Sequence, residues 1–185
     1  MDRTEVRLSG FGGQGIILAG LIVGKAASIF DGKNATLTQA YGPEARGGSC
    51  SAQVVITDEP GSYPYVTSPS VVVAMSQEAY TRYAAGAGDD VKVIIDEDLV
   101  KPNEDQKDRV LAVPATRIAQ EMGRSAVANI VMLGFLSAVT NLTSVEAMKK
   151  SVLDSVPKGT EELNTNAFER GYEHGREKAR AGADK

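Results

Sequence analysis

Two short stretches carry the residues best suited to chemistry. The first is Ser9-Gly10-Phe11-Gly12-Gly13-Gln14-Gly15, in which Gly10-x-Gly12-x-x-Gly15 has the spacing of a dinucleotide fingerprint. Glycines so spaced between a strand and a helix let backbone N–H groups approach an anion at the positive end of the helix. The other half of that fingerprint is missing. A ribose diol needs an Asp or Glu at the end of the second strand, and here Thr38 runs into Gln39-Ala40-Tyr41. NAD and FAD are therefore disfavoured, and a Walker-type nucleotide loop is excluded because no Lys-Ser/Thr pair follows Gly15. The same glycines also suit a tight turn that serves packing alone. Gln14 favours a binding role, since an amide buried without partners is costly; it is expected to face a ligand or another chain.

The second stretch is Tyr41-Gly42-Pro43-Glu44-Ala45-Arg46-Gly47-Gly48. It is too rich in glycine for regular structure and carries one acid and one base. Arg46 can offer a two-pronged fork to a phosphate or carboxylate; the plainer alternative is a surface turn in which Glu44 and Arg46 are solvated.

The surrounding pattern alternates strands with helices. Strands are expected over residues 5–8, 34–38, 51–56, 71–75, 91–95 and 110–113, and helices over 16–30 and 77–85. A helical C-terminal third follows, over 115–122, 126–139, 144–156 and 161–178, with Ser144 opening the third of these and Gly159-Thr160 capping the last. Residues 179–185 are expected to fray. Gly20 and Gly24 share one helix face and are expected to press it against the sheet. The fold class is α/β, a Rossmann-like, mostly parallel sheet flanked by helices, in a single domain spanning residues 1–185.

Other polar residues read more plainly. Cys50 lacks a neighbouring histidine and reads as a small packing residue. His174 reads as a solvated residue on a charged late helix, whose Phe168 and Tyr172 are placed to dock it on the domain or on a partner. Asn129 sits in an apolar helix and needs hydrogen-bond partners, within the chain or from a ligand.

A net charge of −4, with no basic cluster interleaved with aromatics, argues against nucleic acid. One cysteine allows no internal disulfide and no iron–sulfur site, and no apolar run is long enough to span a bilayer. A cytoplasmic location without membrane contact is the expectation.

The two loops together, with Ser76-Gln77-Glu78-Ala79-Tyr80, Asn129 and Asn164, resemble the gamma subunit of 2-oxoacid:ferredoxin oxidoreductases, most closely the 2-oxoglutarate branch. The resemblance covers nearly the whole chain. It implies a multi-subunit enzyme that converts a 2-oxoacid, coenzyme A and oxidised ferredoxin into acyl-CoA, CO2 and reduced ferredoxin. In such enzymes thiamine diphosphate and Mg2+ sit between alpha and beta chains, and iron–sulfur clusters lie on beta and delta chains, through which ferredoxin is met. This chain is then expected to hold no cofactor alone and to be inactive in isolation. Gly10, Gly12, Gly13, Gln14 and Gly15, with Tyr41, Gly42, Pro43, Glu44, Arg46, Gly47 and Gly48, become candidates for contact with coenzyme A or with a partner subunit. Pyruvate, branched-chain oxoacids and indolepyruvate remain alternative substrates, and a stand-alone nucleotide-binding module remains an alternative role.

Overall fold

In the computed structural model, residues 3–42, 47–61 and 63–183 are described. The strands are β1 (Arg3–Phe11), β2 (Asn34–Tyr41), β3 (Ser49–Thr57), β4 (Val71–Ala74), β5 (Lys92–Asp96) and β6 (Leu111–Val113). The helices are α1 (Ile16–Lys25), α2 (Gln77–Tyr83), α3 (Ala115–Glu121), α4 (Ala128–Val139), α5 (Val145–Ser155) and α6 (Glu161–Ala183). A π-helical turn, Ala26–Phe30, ends α1, so the helix expected over 16–30 is regular only in its first part.

The six strands form one sheet in the order β2-β3-β1-β4-β5-β6. β1, β4, β5 and β6 pair in parallel, as βα alternation dictates, but β3 runs antiparallel to both β1 and β2. β2 and β3 thus form a hairpin, and the reversed β3 occupies the place beside β1. This pairing lengthens strands that the β-branched pattern marks only in part. β1 runs on through Gly10, opposite Cys50, and Phe11, opposite Ser49.

Side-chain alternation divides the core. One face, with Val6, Leu8, Val54, Val73 and Ile94, packs against α1, α4 and α5 in the larger apolar cluster, where Cys50 also lies. The other face, with Val72, Ala74, Val93 and Ile95, is covered by Ala79, Tyr80 and Ala84 around α2. β4 is buried on both faces, hence its unbroken Val71-Val72-Val73.

Glycines set how closely the layers approach. A Cβ at Gly20 would collide with Ala52 of β3, as the sequence predicts, whereas one at Gly24 would meet open space. The tightest contact is elsewhere. A Cβ at Gly134 of α4 would strike the Phe168 carbonyl of α6, and one at Gly171 of α6 would strike the Val131 carbonyl of α4. The two helices therefore touch through backbone, and Phe168 is 1% exposed beneath them. α6 extends to Ala183, past the point where fraying was expected. His174 is also not simply solvated: its ring packs 6.0 Å from Phe135.

Candidate functional site

The C-terminal ends of the parallel strands gather the candidate residues, where open α/β sheets place ligands. β1 ends at Phe11, and the turn through Gly12, Gly13, Gln14 and Gly15 feeds α1. Gly15 has φ 71°, in the left-handed region, and a Cβ there would run into the Asn129 amide at the start of α4. Glycine is required on both counts. α1 starts without a side-chain cap, so no capping side chain takes the first-turn N–H groups at the positive end of the helix dipole.

The hairpin loop meets this turn. The Gly12 N–H donates to the Gly48 carbonyl at 2.8 Å, the Gly42 N–H donates to the Ser49 carbonyl at 2.6 Å, and a Cβ at Gly12 would lie 3.3 Å from the Gly47 nitrogen. Two segments some thirty residues apart in sequence thus form one surface. Pro43, Glu44 and Arg46 lie outside the described residues.

Gln14 plays a different part from the one its type suggests. Its Oε1 accepts the Phe11 N–H at 2.6 Å, and its Nε2 donates to the Met75 carbonyl at 2.7 Å. The amide therefore clamps the turn to the end of β4 rather than facing a ligand. Gly10 is likewise corrected, from loop to strand, and its missing Cβ leaves room for the Gln14 side chain. Asn129 is 3% exposed; its Nδ2 donates to the Gly15 carbonyl at 3.2 Å, while its Oδ1 is buried with no partner among the described residues.

Tyr41 ends β2 at 67% exposure, its hydroxyl donating to Gln39 Oε1 at 2.7 Å. Beside it a cavity of about 170 Å³ opens among Tyr41, Gly42, Ser49, Ser51, Arg82 and Tyr83. Arg82 and Tyr83 are neighbours that sequence spacing does not reveal.

One acid and the cysteine are structural. Asp96, fully buried at the end of β5, accepts from the Thr116 hydroxyl at 2.6 Å and the Thr116 N–H at 3.0 Å. Burial pushes its carboxyl above the ordinary range, against the pull of those bonds. The Cys50 thiol is pushed up by burial too, which suits packing and not nucleophilic chemistry. Among the described residues no group of His, Cys, Asp and Glu is placed to hold a metal ion, and no helix is long and apolar enough to cross a membrane.

The family model described as pyruvate ferredoxin/flavodoxin oxidoreductase matches residues 5–174. The chain belongs to that family. It is 53% identical over 182 residues to the 2-oxoglutarate synthase subunit KorC of Methanocaldococcus jannaschii, covering 95% of each chain. The crystal structure of a keto/oxoacid ferredoxin oxidoreductase gamma subunit from Geobacter sulfurreducens PCA superimposes with a TM-score of 0.75 at 40% identity, covering 93% of this chain and 98% of that one. A 2-oxoglutarate:ferredoxin oxidoreductase from Magnetococcus marinus shares the fold, with a TM-score of 0.84 at 24% identity; the likeness covers 96% of this chain and 32% of that larger one. In this chain the glycine turn keeps its place between strand and helix, but the strand beside β1 is reversed.

Proposed function

We propose that this chain is the gamma subunit of a 2-oxoglutarate:ferredoxin oxidoreductase, a cytoplasmic complex with alpha, beta and delta chains that yields succinyl-CoA, CO2 and reduced ferredoxin. The identity with the archaeal 2-oxoglutarate synthase subunit supports the substrate, and the match along both chains supports the subunit role. Within that complex the chain's task is to hold coenzyme A, not to carry out decarboxylation or electron transfer.

One observation carries the coenzyme A reading: the Gly12 N–H to Gly48 carbonyl bond, which joins the hairpin loop to the turn at the N-terminus of α1. Backbone N–H groups and the helix dipole favour a phosphate there, and Arg46 belongs to the loop that this bond anchors. Gln14 and Asn129 fix the turn from either side. Thiamine diphosphate with Mg2+ and the iron–sulfur clusters fit other chains of the complex. The sole cysteine here is packed in the core, and a cluster needs several thiolates.

Arg46→Ala in the assembled complex tests the assignment. Loss of a charge-assisted contact should raise the apparent Michaelis constant for coenzyme A by about ten- to a hundredfold. Carboxyl exchange between CO2 and the oxoacid, measured without coenzyme A, should stay near normal. Unchanged coenzyme A kinetics in an intact complex, checked by gel filtration, would remove Arg46 from the site.

A further inference from the structure

The second face of the sheet is only partly covered. α2 packs over β4 and β5, but the β1–β3–β2 side of that face carries two adjacent cross-strand rows of another character: Arg7, Gln53 and Thr38 in one, Ser9, Ser51 and Ala40 in the next. Apart from Ala40 these rows are polar, where a docked helix would require apolar residues. Three of their atoms, Arg7 Nε, Ser9 Oγ and Thr38 Oγ1, are buried and have no hydrogen-bond partner among the described residues. Buried polar atoms are rarely left in that state.

Two cations flank one ring of α2. The Arg7 guanidinium lies 4.8 Å from the centroid of the Tyr83 ring, and that of Arg82 lies 5.3 Å from the same centroid. Neither arginine forms an ion pair among the described residues. Arg7 makes only a long bond, 3.4 Å, to Gln53 Oε1. Arg82 and Tyr83 line both the 170 Å³ cavity beside the hairpin and a larger one of about 540 Å³ that reaches Arg7, so the two cavities form one trough along α2. An exposed Asp90 borders the trough from the segment that leads into β5.

We infer that this trough is a second anion site, built for a phosphoryl group. Two like charges held around one ring repel each other until a bound anion neutralises them, and a phosphoryl dianion matches their sum. Its several acceptor oxygens can also take the orphaned Arg7 Nε–H, whose residue lines the larger cavity. A carboxylate has fewer acceptor positions and half the charge. Arg7 precedes Gly12 by five residues of strand and turn, about 16 Å at strand rise, so one phosphate does not serve both places. The phosphoryl group comes either from a free phosphate compound or from a coenzyme A molecule whose other phosphates lie at the glycine turn. Only the second source rests on the function proposed above.

The test follows the arginine Nε–H resonances of the full chain by NMR during titration with inorganic phosphate and, separately, with coenzyme A. Saturable shifts of the Arg7 and Arg82 signals are expected with at least one probe, and R82Q, an exposed change whose folding is checked by thermal melting, should weaken that binding about tenfold. Response to inorganic phosphate alone identifies a free phosphate compound. A response to coenzyme A that R82Q weakens identifies the coenzyme. If R46A abolishes coenzyme A binding while the Arg7 signal still moves with inorganic phosphate, the two sites are separate, as inferred. No saturable shift with either probe in the millimolar range, or shifts that R82Q leaves untouched, would overturn the inference.

Discussion

Glu5 shows how a single buried carboxylate can set the entry of a strand. It is 4% exposed, and it accepts from Arg3 Nε at 2.7 Å, from the Thr67 N–H at 2.6 Å and from the Ser68 N–H at 2.7 Å, which fixes the segment that leads into β4. Burial alone would raise its pKa, but the bonds from Ser68, Arg3 and Thr67 together outweigh burial and hold it below the ordinary value. A lowered folded-state pKa means that the contribution is complete above the ordinary carboxylate pKa, near 4.3, and is lost as pH falls through the lower folded value. Glu5→Gln should therefore cost about 2 kcal/mol at neutral pH in denaturant titrations, with the gap to wild type closing as pH falls below about 4. A gap that is flat with pH would show that the charge of Glu5 contributes nothing. Asp96 works in the opposite sense, since its raised carboxyl opposes folding as pH climbs through and above the ordinary carboxylate range. The polar residue of Val6-Arg7-Leu8 is visible in the sequence as an alternation, but its meeting with Tyr83 is not, because only folding brings β1 and α2 together.

At the scale of elements, the α4–α6 contact rests on backbone meeting backbone. Gly171→Ala places a methyl against the Val131 carbonyl, which cannot swing away as a side chain would. About 3 kcal/mol of stability should be lost, a fall in Tm on the order of 10 °C by calorimetry. Gly24→Ala is the contrasting case. Its Cβ would meet nothing within 4 Å, and the change should stabilise α1 by about 0.5–1 kcal/mol. If the two substitutions behave alike, the difference in packing is not what governs them. The spacing rule that marks Gly20 and Gly24 as a packing face is thus right for one and wrong for the other, since spacing gives a face but not what lies opposite it. Gly171 and Gly175 have the same spacing, but the surrounding charges Glu169, Arg170, Glu173 and Arg176 suggest a solvent-facing helix and mask the signal.

For the whole molecule, strand order decides what the glycine turn can bind. Most strands and helices are legible from β-branched runs and apolar periodicity. That β3 inserts beside β1, antiparallel, depends on pairing between distant segments and leaves no local mark. The consequence is chemical: the place beside the turn where a dinucleotide-binding sheet ends in an acid is filled here by the start of β3, at Ser49 and Cys50. Calorimetric titration of the isolated chain with NADH should accordingly show no low-micromolar binding, and the same chain should reduce no viologen dye when given 2-oxoglutarate and coenzyme A. Either activity in the purified chain would contradict the assignment. The direction of β1 also bears on how the protein can be handled. The strand's nine residues span about 30 Å, and its Arg3 end lies across the sheet from the glycine turn. A fluorophore or surface tether attached ahead of Arg3 therefore departs from the far side, leaving both loops open to solution, whereas a reporter meant to sense their occupancy belongs on the exposed Tyr41 end of β2.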